Sequence, residues 1–291
     1  MLKSMTGYGR AEMTRGERLI TVEIKSLNGK QLELYLKIPA ALKAFEFDIR
    51  SLLQQQLQRG TLDFTVTLNQ HGTAKPVIIN NELARQYYLS ISALAKDLHL
   101  PETDLLSALI RLPEVISPAA EQLSEKQWLE VREVILAAVT DLDKHRLDEG
   151  AMLEGDLLLR LDNIEAYREK IIIQDPLRRE KMRLRLDSLL NGQQIKEKTD
   201  TGRLEQELVF YVERMDIAEE LSRLANHCRY FRDVLQEPDP AKGKKLGFVL
   251  QEIGREINTT GSKANDAAIQ QWVVMMKDEL EKAREQVLNV L

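Results

Sequence analysis

The chain has a single cysteine in 291 residues, Cys228, so no disulfide can form within it and its core must hold the fold unaided. No apolar run approaches the roughly 20 residues of a membrane helix, and Met1-Leu2-Lys3-Ser4-Met5-Thr6-Gly7 lacks the apolar stretch of a signal peptide. The expectation is a cytoplasmic protein with no membrane contact. Familiar catalytic signatures are missing as well: no Walker loop, no dinucleotide-binding glycine pattern, no paired CxxC and no HExxH. With 4 histidines a Ser-His triad has little material, since His71 and His99 fall in expected loops and His145 among the charges of a helix. Excess positive charge is also absent. A net charge of −5 sits poorly with a nucleic-acid partner, whose binders usually show a basic surface. Cys228 lies at an apolar helical position and reads as a buried, inert thiol.

Against these absences stand 43% hydrophobic and 30% charged residues, the balance of an ordinary folded chain. The length favours two domains, or one domain with an extended helical arm. Charge is unevenly spread. Residues 1–75 carry 11 Lys and Arg against 7 Asp and Glu, net +4, which leaves −9 for the remainder of a chain at −5. A basic front and an acidic rear suit a polyanion held by one part while carboxylates act from another. Two acidic segments packed on a basic one give the same pattern.

Residues Leu19 to Ile38 alternate in strand fashion around Asn28-Gly29, which predicts a hairpin with its turn there. Leu42, Phe45, Ile49, Leu52, Leu53 and Leu57 then follow a helical spacing, with Gly60 as its stop and Leu62, Phe64, Val66 and Leu68 as a further strand. Val77 to Ile79 makes a short strand, and Asn80-Asn81 caps a helix to about Leu98. Beyond Leu105 the pattern is helical. A helix from about Ser124 to Ile173 stops at Asp175-Pro176, and a return helix from Leu177 to Leu190 completes a helical hairpin. Further helices are expected from Thr201 to Leu235, from Lys242 to Thr259, and from Asn265 onward. The last carries an apolar seam (Ile269, Val273, Met276, Leu280, Ala283, Val287, Val290) that calls for a partner helix. The fold class is therefore α+β: a small N-terminal β-sheet with a covering helix, a long helical hairpin, and a helical C-terminal domain, divided as 1–120, 121–200 and 201–291.

The helix after Thr201 carries an apolar stripe, Ile217, Leu221, Leu224, Cys228, Phe231 and Leu235, and one residue earlier a polar one, Asp216, Glu220, Arg223 and His227. The next helix sets Glu252 and Glu256 one turn apart beside its core positions. Like charges at that spacing repel, so the pair needs a cation, either an arginine or a metal. Gln251, Arg255, Asn258 and Ser262 form a third stripe, and Thr259-Thr260-Gly261 is expected to stop the helix and leave Ser262 and Lys263 in a phosphate-holding turn. If the two helices pack side by side, Asp216, Glu220 and His227 face Glu252 and Glu256 as an oxygen-rich Mg²⁺ or Mn²⁺ site. A surface of structural ion pairs fits the same periodicities.

The segments Ser4-Met5-Thr6-Gly7-Tyr8-Gly9-Arg10, Lys25-Ser26-Leu27-Asn28, Arg59-Gly60, Asp216-Ile217-Ala218-Glu219-Glu220-Leu221, Arg223-Leu224 with His227, and Gln251-Glu252 through Arg255-Glu256-Ile257-Asn258-Thr259 to Ser262-Lys263 closely resemble the YicC-like endoribonucleases. They occur in the same order across nearly the whole chain. The resemblance implies cleavage of single-stranded RNA, dependent on Mn²⁺ or Mg²⁺, by a homo-oligomer, a hexamer that encloses RNA. Under it, Glu252, Glu256, His227 and Arg255 are the expected catalytic residues, and Asp216, Glu220, His227, Glu252 and Glu256 the metal ligands. RNA is expected on Arg10, Lys25, Asn28, Lys30, Arg59, Arg223, Asn258, Ser262 and Lys263. Gly247 and Ser222 stand where that family commonly has carboxylates, and Lys30 and Thr61 where it often has Arg and Lys. The competing reading is a non-catalytic RNA-binding adaptor or an oligomeric scaffold.

Overall fold

A computed structural model describes residues 2–16, 18–57, 59–70, 77–99, 105–118, 123–192, 213–238 and 242–291. In the front of the chain β1 (Gly7–Arg15), β2 (Arg18–Leu27), β3 (Leu32–Lys37) and β4 (Gly60–Gln70) form one sheet in the order β1-β2-β4-β3. β2 runs antiparallel to β1 and β4, whereas β3 is parallel to β4. The expected hairpin at Asn28-Gly29 is thus corrected. After β3 the chain crosses through a 3-10 turn (Ala40–Phe45) and α1 (Glu46–Gln56), and β4 returns between β2 and β3. β4 has reason to take the interior place: Leu62, Phe64 and Val66 are buried, with Phe64 opposite Ile24 on one side and Leu36 on the other. Gly60 opens that strand at φ 111° instead of ending α1. β1 escapes the sequence reading because glycines and charges dilute its alternation, although Ala11 and Met13 pair with Val22 and Ile20.

β5 (Val77–Ile79) pairs with β6 (Ile116–Pro118), a strand not expected from the sequence. Between them lie α2 (Asn81–Asp97), capped as expected by Asn80 Oδ1 accepting from the Leu83 amide, and α3 (Leu105–Ile110).

From Glu125 a single helix, α4 (Glu125–Gly192), runs for 68 residues, about 100 Å at 1.5 Å per residue. Its start is a capping box, in which the Ser124 amide donates to Gln127 Oε1 and the Gln127 amide to Ser124 Oγ. The helical hairpin is corrected here, because α4 passes through Pro176. A proline inside a helix costs about 3 kcal/mol. Tertiary contacts offset it: Ile171, Asp175 and Arg178 are buried against the C-terminal helices. Past Arg178 the described side chains through Arg185 are exposed apart from half-buried Met182.

The N-terminal half of α4 covers the sheet. Val131, Val134, Ile135, Ala138 and Leu142 share a core with Ile20, Val22, Ile24, Ile49, Leu53 and Phe64, so the sheet has two covering helices rather than one. Farther along, Leu157, Leu161, Ile164 and Ile171 join a second core with α5 (Ala218–Gln236), α6 (Gly243–Ala264) and α7 (Ala267–Val287). The expected start of α5 near Thr201 lies outside the described residues. The apolar seam of α7 finds its partners within the chain: Ile269, Val273, Met276, Leu280, Ala283, Val287 and Val290 are all buried against α4 and α6. The partner helices that the seam calls for are thus supplied by the chain itself and not by a second copy. No helix among the described residues is long and apolar enough to cross a membrane.

The first residues stitch the two cores together. The Ser4 amide donates to the Arg146 carbonyl of α4, Met5 N to Asn289 O, and Leu291 N to Lys3 O, while Leu2 is buried in the second core. Two close approaches hold this arrangement. A Cβ on Gly9 would lie 2.3 Å from the Ala138 carbonyl oxygen, and one on Gly150 would lie 2.1 Å from the Leu2 carbonyl oxygen. Gly9→Ala and Gly150→Ala are each expected to cost about 1–3 kcal/mol by overpacking. Gly155→Ala, on the same helix with nothing within 4 Å, should gain up to about 1 kcal/mol from helix propensity. Urea midpoints read all three, and an unshifted midpoint in Gly150→Ala would detach the first residues from α4.

Candidate functional site

The apolar stripes place two helices side by side. Leu221, Leu224, Cys228, Phe231 and Leu235 of α5 are buried, as are Leu246, Val249, Leu250, Ile253 and Ile257 of α6, all in one core. What flanks those stripes is what the pair offers to a ligand. Cys228 is fully buried, and burial pushes its thiol up to about 12, so it is inert as expected.

Glu220, in the first turn of α5, is buried. Its Oε1 accepts from Lys263 Nζ at 2.6 Å, and its Oε2 is buried without a partner among the described residues. Asp216 is corrected: it precedes α5 instead of lying on it, accepts from the Ala218 amide at 3.0 Å, and pairs with Arg179 at 3.4 Å. Arg223 is exposed and pairs with Glu219 at 2.5 Å, and His227 is half-buried. On α6, Glu256 is buried and Glu252 half-buried, one turn apart, with Lys263 seven residues beyond Glu256 on the same face. The five expected metal ligands do not form a ready cage. Among the described residues no three His, Cys, Asp or Glu side chains come together to hold a metal ion.

The expected turn at Thr259-Thr260-Gly261 is also corrected, since α6 continues to Ala264 and ends at Asn265 with φ 41°. Both threonine hydroxyls bond back into the helix, to Arg255 O and Glu256 O. Gly261 serves packing: a Cβ there would lie 3.0 Å from Val273 Cγ1. Ser262 and Lys263 therefore sit on the last turn of a helix, and their amides are not a phosphate nest. Ser262 Oγ donates to Thr259 O at 2.9 Å.

One residue that organises this end was not legible as functional. Arg178 of α4, buried, donates to Asp175 Oδ1 at 2.9 Å, to the Ala264 carbonyl at 2.7 Å and to the Met215 carbonyl at 2.9 Å. One guanidinium thus fastens the end of α6 to the start of α5, which sets Lys263 against Glu220. Its only sequence signal is an arginine three residues after Asp175, beside a proline that reads as a helix stop.

The face of α6 turned to solvent is uniform. Gln251, Arg255, Asn258 and Ser262 are all exposed, as the third stripe requires, and the stripe continues upstream to Phe248 and Lys244. On the sheet the expected RNA contacts divide. Arg10 is exposed but tied to Glu12 and Glu23, whereas Lys25 and Lys30 are exposed. Asn28 Nδ2 donates to the Leu288 carbonyl at 2.7 Å, linking the sheet to the C-terminal helices. Half-buried Arg59 donates to Met5 Sδ at 3.3 Å, beside the buried Arg146, whose NH2 donates to Ser26 Oγ at 2.6 Å. The Arg10, Lys25, Arg59 group is therefore spread over the outer sheet face and its corner, apart from α5 and α6.

Breaking the Glu220–Lys263 pair tests the geometry of the helix pair. Lys263→Met strands a carboxylate that is 7% exposed and should cost about 1–3 kcal/mol, and adding Glu220→Gln should restore most of that. Arg223→Gln, which removes an exposed pair, should change stability by less than about 1 kcal/mol. Denaturant unfolding of the four proteins checks it, and equal costs for Lys263→Met and Arg223→Gln would contradict the buried pair.

Comparison with known proteins finds two family models along the chain. Residues 2–155 match the family model described as Endoribonuclease YicC-like, N-terminal region, and residues 167–291 match Endoribonuclease YicC-like, C-terminal. The chain is 30% identical over 295 residues to a protein of Haemophilus influenzae named probable endoribonuclease YicC, covering all of both chains. It is 29% identical over 298 residues, again at full coverage of both, to a protein of the same name from Clostridioides difficile.

Proposed function

Because this chain belongs to the YicC-like endoribonuclease family, we propose that it cuts single-stranded RNA, with chemistry on the α5–α6 pair. The observation that carries the reading is the coexistence, on one short stretch of α6, of the paired carboxylates Glu252 and Glu256 with an exposed face bearing Arg255. Arg255 has the planar, multiply donating head that suits a phosphodiester. We assign Glu252, the more open carboxylate, the proton of the attacking water, which it returns to the departing ribose oxygen as the old P–O bond breaks, with Arg255 offsetting charge that builds on the phosphate. Glu256 and His227 are assigned to positioning around it. Lys263 is held by Glu220 in this state, so its contact with phosphate requires that pair to open.

A divalent ion, Mn²⁺ or Mg²⁺, is part of the proposal only in a form that the side chains allow. They do not fit an all-protein cage. Such ions are commonly held by one or two carboxylates together with substrate phosphates, so RNA itself would complete the coordination. Titration calorimetry of the free protein with MnCl₂ should then show no tight site, while EDTA should stop cleavage. Full cleavage in EDTA removes the metal from the account.

The proposed homo-oligomer, a hexamer by resemblance, draws support from exposed apolar side chains on α2 (Leu89, Leu94), at its end (Leu98) and on α3 (Leu106). Sedimentation of the wild type beside a Leu89→Glu, Leu106→Glu variant reads it. A variant that stays fully assembled puts the contact elsewhere, and a monomeric wild type that cuts RNA at full rate ends the assembly proposal.

The central test is Glu252→Gln and Glu256→Gln, which remove charge at nearly constant volume. Cleavage of labelled single-stranded RNA should fall about 100-fold or more in each, with circular dichroism unchanged. Wild-type rates in both variants would return these carboxylates to a structural role and favour an RNA-binding adaptor.

A further inference from the structure

On α6 the side chains Lys244, Phe248, Gln251, Arg255, Asn258 and Ser262 follow one another at steps of four, three, four, three and four, and every one of them is exposed. That spacing keeps them on one face of the helix. Two properties set this face apart. It contains no carboxylate along about 27 Å of helix, in a chain whose net charge is −5. It also exposes a phenyl ring, Phe248, to 58% of its surface.

An aromatic ring on an otherwise polar helix face has no folding reason to be there. The core stripe of α6 is complete without it, since Leu246, Val249, Leu250, Ile253 and Ile257 are already buried. Phe248 also has a cation for a neighbour: Lys244 Nζ lies 5.9 Å from the ring centroid. Tyr230 of the adjoining helix α5 is also exposed, 5.4 Å from Nζ of Lys245 on α6, but that ammonium is already paired with Glu237, which leaves Phe248 and Lys244 as the ring and cation open to a ligand. Rings beside ammonium groups are what unpaired nucleotides are held by, the base stacking on the ring while the cation meets the phosphate. Gln251 and Asn258 add donors and acceptors for base edges or sugars, and Arg255 a bidentate phosphate contact.

We infer that the exposed face of α6 from Lys244 to Ser262 is the track on which single-stranded RNA lies, with Phe248 stacking on one unpaired base. This rests on the endoribonuclease reading for its ligand and extends it to residues outside the carboxylate pair. Phe248 stands one turn of helix before Glu252, so a base seated on the ring presents the neighbouring phosphates to Glu252 and Arg255. A duplex, whose bases are already stacked, gains nothing from the ring.

Binding in EDTA, where RNA stays uncut, measures this directly by fluorescence anisotropy with a labelled single-stranded oligonucleotide and its duplex. Phe248→Ala should weaken single-strand binding about tenfold, the scale of one lost base stack, and leave duplex binding unchanged. Phe248→Tyr should bind as wild type does, whereas Phe248→Leu, equally apolar but without a ring, should behave as Phe248→Ala. Lys244→Ala should lower the slope of log affinity against log salt by about 0.7, the loss of one phosphate contact on a single strand. Wild-type affinity in Phe248→Leu overturns the stacking role. A change in sedimentation of Phe248→Ala with unchanged RNA affinity overturns the track and makes this face a contact between copies of the chain. A wild type that binds single strands through Phe248 yet never cuts them would leave the track standing and remove the nuclease reading instead.

Discussion

Everything in this fold hangs on the continuity of α4. Two hydrophobic cores share no layer of sheet or bundle; they share one helix, whose first half closes the sheet through Val131 to Leu142 and whose second half closes the helical core through Leu157 to Ile171. Between these stretches, at Arg146 and Gly150, the helix receives the backbone of residues 2–4, which in turn pairs with the C-terminal residues. The sheet is therefore referenced to the helical core twice, once through α4 and once through that short three-way junction. A close approach such as Gly150 on the Leu2 carbonyl leaves no slack for sliding.

The same helix sets the geometry of the candidate site from behind. Beyond the core, Arg178 fastens the end of α6 and the segment before α5, and Arg168 Nε donates to the Leu221 carbonyl on α5 at 2.7 Å. Arg232 of α5 answers with Asp162 and Glu165 of α4, both at 2.6 Å. These bonds face inward and leave the solvent side of α6 unengaged. A site so built is held by residues that never touch the ligand, and its presenting face is free to vary in chemistry without cost to the core.

What could be read from the sequence follows from what periodicity measures. The core stripes of α5, α6 and α7 were legible to the residue because burial repeats with the helix, and so was the exposed stripe through Gln251, Arg255, Asn258 and Ser262. Local punctuation misled wherever tertiary contacts outweighed it. Pro176 reads as a stop, yet Asp175 and Arg178 bind the helix through it. Asn28-Gly29 reads as a hairpin turn, yet β4 gains more by lying between β2 and β3. Gly261 reads as a cap, yet it is a point of contact with α7. The surroundings of the expected metal ligands were illegible for a related reason: spacing puts carboxylates on a face but says nothing of which cation lies opposite, and here Lys263 and Arg179 pair with Glu220 and Asp216.

The charge asymmetry shows most clearly why the level of description matters. Counted along the sequence, the basic front is the natural place for a polyanion. In three dimensions part of that charge is spent, since Arg10 is paired with Glu12 and Glu23 and Lys3 with Asp143. Part of the acidic rear's charge is likewise taken up by ion pairs, such as Glu279 with Arg160 and Lys282. A phosphate responds to the potential within about a Debye length, ~8–10 Å at physiological salt, not to the sum over 291 residues. On that scale Lys244 and Arg255 on the exposed face of α6 count for more than distant carboxylates, while Glu252 at its edge counts against them. Whether an acidic chain can hold a polyanion is therefore decided by how its charges are sorted among helix faces, a sorting that the net charge averages away.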